Sequence, residues 1–129
     1  MEKNQKQKKG QSQKNKDKSI KPYFFEEIKT QDGLLDSCLD ATYIIHLEGN
    51  EERKSNITKQ MKLYNTTQNV IILNNKGYKK CKKELREQCP VCDLIDCYMQ
   101  IFRNAEENDY NNILILEDDV CFDEFSFEY

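Results

Sequence analysis

The sequence predicts an open α/β sheet in which parallel strands alternate with helices. Three segments, at residues 41–47, 70–73 and 112–117, have the composition of strands, and the continuous apolar runs at 70–73 and 113–116 are typical of strands that are buried on both faces. Between them lie two stretches with apolar residues at helical spacing. Strands and helices in alternation are typical of a doubly wound, three-layer sheet with right-handed crossovers. A chain of 129 residues has room for one such domain.

The first predicted strand, residues 41–47, is rich in β-branched and aromatic side chains. Asn50 follows it as a suitable N-cap for a helix over residues 51–64, because its side-chain oxygen can accept a bond from a free backbone N–H group. That helix has three apolar residues at helical spacing, Ile57, Met61 and Tyr64. Together with the strand at 70–73, these elements form one βαβ unit.

The second predicted helix, residues 93–108, has the clearest apolar stripe in the chain. Its apolar positions are Leu94, Cys97, Tyr98, Ile101, Phe102 and Ala105. The helix leads into the strand at 112–117, which we expect to be among the central strands of the sheet. Residues 23–40 show no such periodicity, and we expect them to form a loose lead-in with at most one short helix.

Charge is distributed unevenly along the chain. Residues 1–21 carry eight lysines against two acidic residues, a net charge of +6, whereas the other 108 residues carry 12 basic and 21 acidic side chains, a net charge of −9. The basic segment has one aliphatic and no aromatic residue, so it cannot bury enough apolar surface to offset its ordering entropy. We therefore expect residues 1–21 to be a disordered arm and residues 22–129 to be the α/β domain. A second lysine-rich stretch, residues 79–87, is expected to be a solvated helix or loop.

The basic arm limits the partners and the location that the sequence predicts. It lacks the arginine and aromatic side chains that stack on bases, so nucleic acid is not an expected partner. It is not followed by the apolar core of a secretory signal. No run of about 18 apolar residues is present to span a membrane. These features predict a cytoplasmic location.

Six cysteines and a single histidine restrict the chemistry further. Cys89 and Cys92 form a lone CxxC motif, whereas a structural zinc site needs a second such pair or paired histidines. A redox dithiol would open a long helix soon after a first strand. A helix does follow here, but the preceding stretch is lysine-rich, so reduced and mostly structural thiols are favoured. His46 lies within a predicted strand, which favours a partly buried, structural role.

Three consecutive acidic residues, Glu117, Asp118 and Asp119, end the last predicted strand. Because side chains alternate along a strand, Glu117 and Asp119 are expected on one face and Asp118 on the other. Adjacent carboxylates repel one another unless a cation or hydrogen-bond donors offset their charge. Oxygen ligands suit Mg²⁺ or Mn²⁺, and the carboxyl ends of strands are where open α/β sheets bind ligands. A solvated loop that simply ends the strand is the equally weighted alternative.

Two of these segments resemble motifs of the glycosyltransferases of family 25. Residues 43–47, Tyr-Ile-Ile-His-Leu, followed by Arg53, are similar to the family's first strand motif. Residues 113–119, Ile-Leu-Ile-Leu-Glu-Asp-Asp, are similar to its acidic motif at the end of a later strand. The family includes bacterial lipooligosaccharide galactosyltransferases and collagen β-galactosyltransferases. The resemblance covers about residues 41–123, the N-terminal portion of such a domain.

The resemblance implies a GT-A-like, Rossmann-like fold that binds a nucleotide sugar. It implies metal-assisted transfer of a sugar from a nucleotide-sugar donor, most simply a uridine diphosphate sugar, to a glycan or protein acceptor. Glu117 and Asp119 would hold Mn²⁺ or Mg²⁺ against the donor diphosphate, while Arg53 and Asp118 would lie at the donor site. The resemblance identifies no catalytic base in this chain.

One alternative to an intact enzyme remains open, and a second is set aside. His46 stands where the family has asparagine, and residues 91–96 lack the serine and histidine of another family element. These departures are what we expect of a non-catalytic remnant of the domain that only binds its ligand. The acidic motif also lies ten residues before the end of the chain, so we expect an incomplete domain. A phosphoacceptor receiver is set aside, because its acid pair follows the first strand and its acceptor aspartate comes one strand later.

Overall fold

The computed structural model describes residues 20–123 and residue 126. The predicted disorder of residues 1–21 therefore falls almost entirely outside the described residues. The described part forms four strands and two helices, in the order β1 (Tyr23–Lys29), β2 (Ala41–Leu47), α1 (Glu51–Leu63), β3 (Asn69–Asn75), α2 (Pro90–Glu107) and β4 (Ile113–Glu117). No helix in this part is both long and apolar enough to cross a membrane.

The four strands form one mixed sheet in the order β1-β3-β2-β4. β2 is parallel to both β3 and β4, which confirms the predicted parallel arrangement of these three segments. β1 is antiparallel to β3, pairing Tyr23 with Asn75 and Lys29 with Asn69, so the sheet is mixed and the predicted open parallel sheet describes only the other three strands. The class is α/β, with helices on both sides of the sheet.

β1 was not expected, since residues 23–40 were predicted to be a loose lead-in. Tyr23 and Phe25 pack on one face of the sheet while Ile28 packs on the other. Glu26 and Glu27 interrupt the apolar alternation that would have revealed the strand. An edge strand tolerates such charges, and they discourage pairing with another chain.

Within the described residues β4 lies at an edge of the sheet, whereas the sequence predicted a central strand. Among the described residues it pairs with β2 alone, and its four aliphatic residues are only partly buried. A continuous aliphatic run shows that both faces of a strand contact apolar layers. It does not show whether a neighbouring strand lies on each side, which explains the error.

Two apolar clusters sandwich the sheet. On one face α2 packs Cys97, Ile101 and Ala105 against side chains of β2 and β3. On the other face α1 packs Ile57 and Met61 against Ile44 and its neighbours. Fully burying a side chain such as Ile57 stabilises the fold by roughly 1.5–3 kcal/mol. These two clusters produce the predicted three layers.

Both predicted helices are present. α2 differs from the prediction at its first residue and at one position of its apolar stripe. α2 begins at Pro90, three residues before the predicted start, because Cys89 acts as its N-cap. Phe102 was placed on the apolar stripe but is 51% exposed. Asn50 caps α1 as expected, and its side chain accepts a bond from the backbone N–H of Arg53.

Candidate functional site

The chain reverses its direction of winding between β2 and β4. From β2 it moves through α1 to β3 on one side, and from β3 it returns through α2 across β2 to β4 on the other. In open α/β sheets, ligands bind in the crevice outside the carboxyl ends of the strands at such a reversal. The segments that follow β2, β3 and β4 meet at this edge and contain the residues predicted to bind a donor.

Asp118 is buried at this crevice and connects three elements. Nδ1 of His46, at the end of β2, donates to Asp118 Oδ2 at 2.8 Å. Nη1 of Arg53, from the first turn of α1, donates to Asp118 Oδ1 at 3.4 Å. The side chains of His46 and Asp118 are 4% and 5% exposed, whereas that of Arg53 is 52% exposed. Asp118 therefore holds His46 in the interior and orients Arg53 toward solvent.

The backbone around Asp118 is fixed as well. Its N–H group donates to the carbonyl oxygen of Ile45 at 3.2 Å, which extends the pairing of β4 with β2 by one bond. Nδ2 of Asn56, in α1, donates to the carbonyl oxygens of Asp118 at 3.3 Å and of Val120 at 3.1 Å. The turn after β4 is thus anchored to both the sheet and α1.

Glu117 and Asp119, the predicted metal ligands, flank this buried residue and are both exposed. Glu117 lines the crevice together with Asp118. β4 ends at Glu117, so Asp119 lies in the turn and not in the strand. In the described part of the chain, no three or more His, Cys, Asp or Glu side chains are grouped so that they could hold a metal ion. A cation site at Glu117 and Asp119 stays a prediction.

The crevice is a cavity of about 490 Å³, within the ~300–1,000 Å³ range of small-molecule sites. Its floor includes apolar side chains of β2 and α2, among them Ile45 and Leu94. In the part of the chain that the structure describes, four cationic side chains line it, Arg53, Lys76, Lys79 and Lys80. The cavity therefore combines an apolar floor with a basic rim.

Three of those cations come from the loop after β3, which the sequence marked only as lysine-rich and solvated. Gly77 has φ +85°, a left-handed conformation that glycine adopts without strain, and it turns the loop back over the cavity. The N–H of Gly77 donates to Oδ1 of Asn75 at 2.9 Å. The sequence signal that was available is a glycine shortly after a parallel strand, followed by Tyr78 and several lysines.

A buried ion pair holds this loop against α2. Lys83 Nζ donates to Asp93 Oδ1 and, at 2.5 Å, to Asn75 Oδ1, and the Lys83 side chain is 1% exposed. Asp93 Oδ2 accepts from Asn75 Nδ2 at 3.1 Å and from the N–H of Tyr78 at 3.3 Å. Every polar atom of this cluster therefore has a partner, as a buried ion pair requires. Sequence reasoning assigned Lys83 to solvent and missed this role.

Tyr23 of β1 joins the same cluster. Its hydroxyl oxygen accepts from Lys83 Nζ at 2.8 Å, and the hydroxyl donates to a carboxylate oxygen of Asp96. Burial raises the pKa of Tyr23 far above its usual range, and the bond to Asp96 adds to this. The tyrosine therefore stays protonated and links β1 to α2 and the loop.

Comparison with known proteins gave no match, whether the chain was compared with protein-family models, with curated proteins or with solved structures.

Proposed function

We propose that the crevice binds the diphosphate of a nucleotide-sugar donor, and that the chain is a glycosyltransferase-like protein of the GT-A type. The observation that carries this proposal is the basic rim formed by Arg53, Lys76, Lys79 and Lys80 at the carboxyl ends of three parallel strands. A diphosphate is strongly anionic, and arginine and lysine are its usual protein ligands. The sequence resemblance to family 25 points to the same class of ligand.

The two exposed carboxylates fit a weak divalent cation site beside that diphosphate. Glu117 lines the cavity, and Asp119, exposed in the turn two residues later, is the second carboxylate of this proposal. Carboxylate oxygens are ligands that Mg²⁺ and Mn²⁺ prefer. Two carboxylates leave most of an octahedral shell to water or to phosphate oxygens, and affinity should therefore rise when a diphosphate is present. A cation bound there would stabilise the negative charge of the departing diphosphate.

The remaining residues have supporting roles in this proposal. Arg53 contacts the diphosphate with its exposed guanidinium while Asp118 holds that side chain in orientation. The pair of Lys83 with Asp93 positions the loop that carries the three lysines. The expected partners are a uridine diphosphate sugar and a glycan or protein acceptor.

A binding module without catalysis is the second candidate, and His46 favours it. The only histidine of the chain is 3% exposed and already bonded to Asp118, so it is not placed to take a proton from an acceptor. A module of this kind would bind the donor and leave its sugar–phosphate bond intact.

Calorimetric titration of uridine diphosphate in the presence of Mn²⁺ tests the proposal. The double variant Lys79→Ala/Lys80→Ala should weaken binding about tenfold or more, since even 1.4 kcal/mol of lost charge contacts corresponds to a factor of ten. Lys82→Ala is the matched control, because Lys82 belongs to the same loop, is exposed and does not line the cavity. Equal affinity in the double variant and the control would refute the site.

Incubation with a uridine diphosphate sugar separates the two candidates. A glycosyltransferase releases uridine diphosphate with time when an acceptor, or water in its place, receives the sugar. The binding module retains the donor unchanged. Chromatography of the nucleotide distinguishes the two outcomes directly.

A further inference from the structure

The first turn of α2 contains two cysteines that the proposed function does not use. Cys89 is the N-cap of the helix, and Pro90 and Val91 separate it from Cys92. Both cysteines are partly exposed and neither is in a disulfide. Each is therefore open to reagents in solution.

The two cysteines are in direct contact. The backbone N–H of Cys92 donates to Cys89 Sγ at 3.4 Å, so the Cys89 sulfur lies beside Cys92 in the first turn of α2. Interaction with Cys89 raises the pKa of the Cys92 thiol above its usual value. The Cβ atoms that a disulfide joins lie roughly 3.5–4.5 Å apart, and side chains one helical turn apart are neighbours. A local rearrangement of this turn is therefore enough to close the bond.

We propose that Cys89 and Cys92 form a redox-active dithiol that is reversibly oxidised to an intramolecular disulfide by exchange with a low-molecular-weight disulfide. Cys89 attacks first, because its sulfur accepts the backbone N–H of Cys92 at the amino terminus of a helix. The assignment is independent of the diphosphate site, since it requires neither cavity lysines nor a cation.

The exchange proceeds through a mixed disulfide. The Cys89 thiolate bonds to one sulfur of the small disulfide, whose S–S bond breaks and releases one thiolate. Cys92 then gives its proton to solvent and attacks Cys89 Sγ, which releases the second thiolate. The protein loses two electrons and two protons in total, and the small disulfide is reduced to two thiols.

The other four cysteines do not form such a pair. Cys81 and Cys97 are buried, and burial raises the pKa of Cys97 to about 11, which keeps it protonated. Cys38 and Cys121 are exposed, but their sulfur atoms interact with oxygen atoms: Cys38 with the carbonyl of Leu35, and Cys121 with Asn56 and Asp119. A zinc site is not the better explanation, because the described residues offer no third ligand near the pair.

The test equilibrates the reduced full chain with glutathione and glutathione disulfide, followed by acid quench, alkylation and peptide mass spectrometry. The peptide that contains Cys89 and Cys92 should escape alkylation and lack two hydrogens. At fixed glutathione, the ratio of its oxidised to reduced form should rise about tenfold for each tenfold rise in glutathione disulfide. The exposed Cys38 and Cys121 should instead give alkylated or glutathione-bound peptides.

Single variants assign the roles of the two thiols. Cys92→Ser should leave Cys89 as a stable mixed disulfide with glutathione, whereas Cys38→Ser should leave the disulfide yield unchanged. Cys89→Ser keeps an N-cap acceptor for α2 and should abolish the disulfide. Helical circular dichroism confirms that each variant is folded. The proposal is overturned if Cys38 and Cys121 become glutathionylated while the parent chain forms no disulfide between Cys89 and Cys92.

Discussion

Asp118 shows how a single residue of the acidic motif can have a different role from its two neighbours. Glu117 and Asp119 are exposed, while Asp118 is buried between His46 and Arg53. The sequence separated Asp118 from the other two by strand alternation, but it gave no sign of the contact with His46, which lies 72 residues away. Long-range partners of this kind depend on the order of strands in the sheet.

Replacement of Asp118 by alanine should lower stability. The change leaves the Nδ1–H group of His46 buried without its acceptor, which costs roughly 1–3 kcal/mol. Asp119→Ala is the matched control and should alter the free energy of unfolding by less than about 0.5 kcal/mol, since Asp119 is exposed. Urea unfolding measures both variants, and an equal effect would contradict a structural role for Asp118.

Lys83 should be among the most sensitive polar positions in the chain. Lys83→Met removes the partner of Asp93 and leaves a buried carboxylate unpaired, a change that costs roughly 3–5 kcal/mol. Lys82→Met, one residue earlier and exposed, should change the free energy of unfolding by less than about 0.5 kcal/mol. Thermal or urea unfolding measures both variants. Equal free energies of unfolding would contradict the role of Lys83 in holding the loop.

At the scale of elements, the sequence predicted best those segments whose apolar pattern is uninterrupted. β2 and α1 were placed within one residue, because residues 41–47 are rich in β-branched and aromatic side chains and Asn50 marks the start of the helix. β1 was missed since two glutamates break its alternation. Lys83, in the loop after β3, was taken for a solvated charge, because nothing local to it reveals the buried acceptor on α2.

β1 and α1 are also joined by an ion pair that should respond to pH. Lys54 Nζ lies 2.7 Å from Glu26 Oε2, and this bond lowers the pKa of Glu26 below its ordinary value of 4.5. Because the pKa is lower in the folded state, the pair stabilises the fold above pH 4.5. That contribution is lost as the pH falls through the lowered pKa.

The variant Glu26→Gln should therefore flatten the acid limb of the stability curve. Its difference from the parent should be small, below about 1 kcal/mol near neutral pH, because both side chains are partly exposed. The difference should vanish at the lowest pH at which the parent stays folded. Urea unfolding across pH 3 to 7 measures this effect, with Glu27→Gln as control. If the difference in stability between the parent and Glu26→Gln grows as the pH falls, the predicted direction of the pH dependence is wrong.

At the scale of the whole molecule, strand order determines what the crevice contains. Because β4 returns to the far side of β2, the acidic turn comes to lie near Arg53 and the basic loop after β3. The sequence predicted an acidic site at the end of a strand with Arg53 beside it, and the described structure adds three lysines that line the same cavity. The proposed function rests on this combination of charges and not on the acids alone.

The most direct measurement is a titration of Mn²⁺ against the chain with and without uridine diphosphate, repeated on Glu117→Gln, Asp119→Asn and Asp118→Asn. The proposal predicts weak Mn²⁺ binding that tightens at least about tenfold when the nucleotide is present, a coupling of about 1.4 kcal/mol. Glu117→Gln and Asp119→Asn should abolish that coupling, while Asp118→Asn should largely retain it in molecules that stay folded. Absence of nucleotide-dependent Mn²⁺ binding in the parent chain would contradict the account, and equal loss in all three variants would contradict the assigned ligands.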